Sequence, residues 1–171
     1  TMDRAIRFAL LTGVTKFGKV SVFSDLNNLD DISMREPYAA ICGITETELR
    51  THFDEDIHTL ASALERTYEE ARSLLRKRYD GYHFVAGGPG IYNPFSLLNT
   101  FKYMRLSDYW FETGTPTYLV ELLKRTNYDL YDMANTETDA DVLNSIDSAS
   151  NNPIPVIYQS GYLTICLLYT S

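Results

Sequence analysis

The chain has no apolar run approaching the ~20 residues needed to cross a bilayer as a helix, so it is not read as a membrane-spanning segment. No apolar stretch stands behind Thr1-Met2-Asp3-Arg4, and we expect no signal peptide there; a first residue of Thr points to a start inside a longer reading frame. Cysteine is scarce: Cys42 and Cys166 lie far apart and outside any CxxC pattern, which reads as free buried thiols of a cytoplasmic protein rather than a disulfide framework or a zinc site. Basic residues stop altogether after Arg125, while six acids follow it, so −6 of the net charge of −8 lies in that last quarter. Such acidity argues against a broad nucleic-acid footprint and leaves one local basic group, Arg72, Arg76, Lys77 and Arg78.

Chemical motifs are missing too. There is no glycine-rich loop ending in GK(S/T) and no GxGxxG, so the sequence holds no phosphate cradle of either kind. His52 and His58 are six apart, which does not align them on one helix face, and the Asp54–His58 pair reads as a surface contact rather than a metal site. Ser160-Gly161 lacks a nucleophile-elbow context, and no motif ties His83 to a nucleophile.

What the chain does have is a 44% hydrophobic, 22% charged composition, which is that of a globular domain able to bury a core. Ile6 to Leu11 is a nearly continuous apolar run, the pattern of a strand buried on both faces of a parallel sheet. Thr12, Thr15 and Lys16 would then follow its carboxyl end, where open α/β sheets place ligands. Val20 to Met34 predicts one or two short helical pieces, Tyr38 to Ile41 a short extended segment. Thr45-Glu46-Thr47-Glu48 is a capping box, and Leu49, Phe53, Ile57, Leu60 and Leu64 form one apolar stripe behind it, so one long helix is expected. A second box, Thr67 to Glu70, opens a helix with Ala71, Leu74, Leu75 and Tyr79 facing inward, which Asp80-Gly81 stops. The two together predict an αα-hairpin.

Tyr82 to Val85 and Gly90 to Tyr92 are expected to pair as short strands around Gly87-Gly88-Pro89. Asn93-Pro94 and Thr115-Pro116 are N-cap–proline helix starts. The aromatics between Tyr79 and Pro116, Trp110 among them, read as a local core rather than stacking platforms, so that Trp110→Ala is expected to unfold the chain. Leu143 and Ile146 indicate a short helix in the acidic stretch 127–152, and Pro153 to Ile165 an apolar segment, a glycine turn and a strand. The last six residues, from Cys166, resemble a translated sequencing adapter.

Seven blocks, in order, resemble the AAA-ATPase-like family common in gut bacteria, often fused to a PD-(D/E)XK nuclease-like domain. They are Thr12 to Phe17, Phe23 to Leu29, Tyr38 to Gly43, Tyr79 to Tyr82, Tyr92 to Ser96, Tyr109 to Pro116 and Gln159 to Ile165. The resemblance implies an α/β, truncated P-loop AAA-like chain that is mostly helical. Residues 1–43 would be the end of the ATPase core, 44–126 a helical lid, 127–165 an acidic connector with the start of a winged-helix-like segment, and 166–171 the adapter. Walker A and Walker B would precede Thr1. Thr12 would be the sensor-1-like residue, Lys16, Arg76 and Arg78 nucleotide-binding cations, with ATP and Mg²⁺ bound by the full-length parent and nucleic acid reached through the nuclease-like domain. Without cradle or metal site the isolated chain is expected not to hydrolyse ATP. The alternative is a non-catalytic binding or regulatory module.

Overall fold

A computed structural model describes residues 7–13, 29–110, 116–126, 131, 136–143 and 152–166. In chain order these form β1 (Ile44–Thr45), α1 (Glu46–His52), α2 (Asp54–Ala63), α3 (Tyr68–Tyr79), β2 (Ile91–Tyr92), α4 (Pro94–Tyr103), α5 (Pro116–Thr126), α6 (Ala140–Leu143) and α7 (Ile154–Gln159), with a 3-10 turn at Glu36–Tyr38 before them. The architecture is mixed but mainly helical, with one two-stranded antiparallel sheet in which Ile44 faces Tyr92 and Thr45 faces Ile91.

Both capping boxes form. The Thr45 hydroxyl accepts from the Glu48 amide at 3.2 Å while Glu48 accepts from the Thr45 amide at 2.9 Å. Thr67 and Glu70 repeat the exchange at 3.3 and 2.9 Å. The expected single helix behind Thr45 is instead two, broken at Phe53, whose φ of −124° and ψ of 19° leave the helical region. Asp54, Glu55 and Asp56 favour a fresh helix N-terminus just there, and the Phe53 ring turns to stack on Phe101 at 5.6 Å. The apolar stripe survives the break: Leu49, Ile57 and Leu60 are buried and Phe53 and Leu64 pack against them.

The α2–α3 hairpin and α4 close one core of Leu49, Ile57, Leu60, Ala61, Ala71, Leu75, Tyr79, Tyr92, Leu97 and Phe101. Each fully buried Leu or Ile there contributes about 1.5–3 kcal/mol. Helix α3 stops at Asp80, and Gly81 at φ 110° takes the turn. Helix α4 starts with Pro94 at N1 and the Asn93 side chain accepting from the Ser96 amide at 2.9 Å; it ends in left-handed Met104. The Thr115 cap lies outside the described residues. Inside this core the Tyr79 hydroxyl donates to the Ser107 carbonyl (2.8 Å) and accepts from Thr100 (2.9 Å) and the Ser107 amide (3.0 Å).

A second, smaller cluster gathers Leu143, Ile154, Ile157 and Tyr158, with Tyr82, Leu123, Tyr162 and Ile165 against it. It corrects the reading of the Pro153–Ile165 segment, which holds helix α7 and no strand among its described residues. Prolines 153 and 155 sit at the N-terminal end of that helix, where the missing N–H groups have no helical acceptor to lose. Strand β2 likewise pairs with β1 rather than with a strand at Tyr82–Val85; Tyr82 makes a single bridge to Ile91. Tyr38 belongs to the 3-10 turn, and Ala39 to Cys42 continue as turns, not as an extended segment.

Trp110 is 37% exposed, its ring edge-on to Tyr162 at 5.9 Å, so it lies at a rim rather than in the core. Residues 7–13 are exposed, Phe8 to 83%, and make no strand pairing among the described residues; the sheet neighbours expected for the Ile6–Leu11 strand would lie outside this chain. Both cysteines are free but exposed, not buried. Among the described residues no helix is long and apolar enough to cross a membrane.

Candidate functional site

An open polar cleft of about 660 Å³ forms where the end of α3, the start of α1 and the 80–90 loop meet; Thr45, Glu46, Arg76, Asp80, His83 and Gly90 are among its walls. Its shape follows from the turn after α3. Asp80 is extended (ψ 163°), which turns its carboxylate back over the helix end. There Oδ1 accepts from the Gly81 amide at 2.7 Å, and Oδ2 lies 3.5 Å from Arg76 Nε. Gly90 passes so close that a Cβ on it would stand 2.9 Å from Asp80 Oδ1, so a larger residue there would press on that carboxylate.

His83 is oriented by two contacts. Its amide donates to Thr164 Oγ1 at 2.7 Å, and its Nδ1 lies 3.1 Å from the Gly88 carbonyl. A carbonyl can only accept, so Nδ1 carries the proton and a neutral ring keeps Nε2 as an acceptor. The other wall is Glu46. Its Oε2 accepts a short hydrogen bond from the Tyr92 hydroxyl, and its Oε1 is 3.0 Å from Arg72 Nε, an ion pair without hydrogen-bond alignment. Arg72 also holds Glu69 at 2.8 Å. Burial, and then the hydrogen bond to Glu46, push the Tyr92 hydroxyl well above the ordinary tyrosine range, so it stays a donor.

Arg76 is paired with Asp80, yet its side chain is 69% exposed at the edge of the cleft, while the Asp80 carboxylate is largely covered. The Thr45 hydroxyl is engaged in its capping box and is no nucleophile. The arrangement can bind a polar or anionic ligand at Arg76, with Asp80 as the group to be displaced; it has no nucleophile–base pair. A second open cleft of about 640 Å³ lies on the outer side of α1–α3 around Asp54, His58 and Tyr68. There Tyr68 donates to Asp54 at 2.7 Å, and His58 Nε2 stands 3.9 Å from the same carboxylate on the surface. Among the described residues no three His, Cys, Asp or Glu side chains gather as a metal site.

Of the residues singled out in the sequence, Arg76 lines the cleft and Arg78 does not: two positions further round α3, it faces Asp108 at 3.4 Å. Thr12 is exposed and does not line the cleft, and Lys16 lies outside the described residues. Glu46, His83 and Gly90 carried no site motif in the sequence, and Arg72 entered only as part of the basic group. The Arg76–Asp80 spacing of four just before a glycine is the one local signal that could have located the cleft.

No protein-family model matches the chain, and no solved structure matches it. Among curated proteins, the chain is 39% identical over 163 residues to a protein of Azotobacter chroococcum mcd 1 described as "Uncharacterized protein in vnfD 5'region". That alignment covers 95% of this chain and 29% of the relative, so the chain spans less than a third of the relative's length.

Proposed function

We propose that this chain is the lid-side part of an AAA-ATPase-like protein whose full length binds ATP with Mg²⁺, and that Arg76 is the cation it extends to the nucleotide. The observation that carries the reading is the exposed Arg76 guanidinium at the mouth of a polar cleft, held at 3.5 Å by a carboxylate that a phosphate can replace. A guanidinium binds phosphate oxygens through paired N–H groups, so exchanging Asp80 for a phosphate keeps its charge compensated. Arg78 already leans towards Asp108 on another side of α3, and so contributes less in this reading. Thr12 and Lys16 remain the sensor-like threonine and second cation, and residues 44–126 the lid.

The first test is the coding DNA upstream of Thr1. A GK(S/T) loop after an apolar strand supports the reading; its absence favours a non-catalytic binding module. In the longer protein, Arg76→Ala should raise the KM for ATP about tenfold or more, as the loss of a charged hydrogen bond does, and Arg78→Ala should change it less. An unchanged KM in Arg76→Ala would refute the role given to that residue.

A further inference from the structure

The exposed end of α4 offers a surface that the nucleotide reading does not use. From Gly81 to Ser107 there is no Asp or Glu, although the chain carries 23 acids in all. Within that acid-free stretch the ring of Tyr103 is 57% exposed and lies against the ring of Tyr109 at 6.2 Å and 27°. Tyr109 is itself fixed: it is buried, and its hydroxyl donates to the Arg105 carbonyl at 2.9 Å. Tyr103 is thus an outward aromatic face backed by an immobile one. The Lys102 ammonium stands over the Tyr103 ring, 5.0 Å from its centre, Arg105 is two residues on, and Arg78 pairs with Asp108 at 3.4 Å. One cation thus lies over the supported ring, a second follows it in sequence, and a third is held by Asp108, the residue next to Tyr109.

We propose that this surface binds single-stranded nucleic acid, with one base on Tyr103 and the neighbouring phosphates on Lys102, Arg105 and Arg78. Every base has a π face, and a ring held by a second ring loses little freedom when a base stacks on it. Lys102, on a flexible stem, follows a phosphate while the base takes the ring. An acidic peptide would use the cations but leave the ring idle, which is why the aromatic face decides between the two. Different residues carry this proposal from those of the cleft, so its failure leaves the nucleotide reading standing.

The test is fluorescence anisotropy of a labelled oligo-dT titrated with the 171-residue chain. Binding should weaken at least about fivefold in Tyr103→Ala and persist in Tyr103→Phe, which keeps the ring. It should weaken in Lys102→Glu and in Arg105→Glu, and log K should fall with log salt at a slope of about −2, as three phosphate contacts at about 0.7 each require. Circular dichroism of each variant checks that the helices are intact. No binding at about 50 mM salt, or equal binding by folded Tyr103→Ala, would overturn the proposal. So would poly-glutamate competing as well as the oligonucleotide, an outcome that identifies an acidic protein surface as the partner.

Discussion

Removing one oxygen from Tyr79 tests how the main core is specified. That hydroxyl makes three hydrogen bonds of 2.8–3.0 Å, and Thr100, one of its partners, is wholly buried. In Tyr79→Phe the ring still fills its place, so the apolar packing is nearly unchanged, but the Thr100 hydroxyl and the Ser107 amide and carbonyl lose their common partner. A buried polar group left unpaired costs about 1–3 kcal/mol. Ser107 is half-buried and recovers part of this from water, whereas Thr100 does not. The expected loss is about 2–3 kcal/mol, and for a chain of this length that lowers Tm by roughly 5–10 °C. Urea melts read at 222 nm measure it. Thr100→Val removes the stranded hydroxyl, so the double variant should be about 1 kcal/mol less destabilised than the sum of the two single ones. A Tyr79→Phe loss below about 0.5 kcal/mol, or strict additivity in the double variant, would refute this account of the network.

Gly43→Ala should destabilise by about 1–3 kcal/mol in the same melts, because its Cβ would stand 2.3 Å from Ile91 Cδ1 and 2.7 Å from Ile91 Cβ on the paired strand. Trp110→Ala should leave the far-ultraviolet spectrum intact and cost about 1–2 kcal/mol, since the ring is partly exposed and edge-on to Tyr162; global unfolding would return Trp110 to the core. Glu48 and Glu70 are held below the ordinary glutamate range by the backbone and then the side chain of Thr45 and Thr67. A lowered folded value means stability that is present above the unfolded pKa and lost as pH falls through the folded one, so both caps should weaken below about pH 4.5. Carboxyl chemical shifts followed by NMR should show both groups titrating below the ordinary range, with Thr67→Ala moving Glu70 alone only part of the way back, because the amide of residue 67 still donates to it.

Local chemistry was legible where it acts within a few residues. Thr45–Glu48, Thr67–Glu70, Asp80-Gly81 and Asn93-Pro94 each fix a helix end through contacts no more than three residues apart, and each does so in the fold. The misses involve partners far along the chain. Phe53 kept its place in the apolar stripe but left the helix to meet Phe101, a residue that periodicity cannot reveal. Strand β2 chose Ile44 over the adjacent Tyr82–Val85 segment, and nothing in either dipeptide marks that preference. The strand expected after the Gly161 turn is absent among the described residues, and the apolar segment before it is helix α7, whose two prolines suit a helix start. The cleft was legible only through Arg76, because Glu46 and His83 reach it from segments 30 or more residues from each other.

The 82–84 loop and Tyr158 exchange hydrogen bonds in a way that sets an order of events during synthesis. Tyr82 donates to the Tyr158 carbonyl at 3.0 Å, Tyr158 donates to the Phe84 carbonyl at 3.2 Å, and the His83 amide reaches Thr164. The loop that walls the cleft is thus fastened by residues translated some 75–80 positions later. The α2–α3 hairpin and α4 can close as soon as they leave the ribosome, while the 82–84 loop stays open until α7 has emerged. On a nascent chain the cleft is therefore the last part of this core to be completed, and a ligand for it meets a finished wall only once Thr164 is in place.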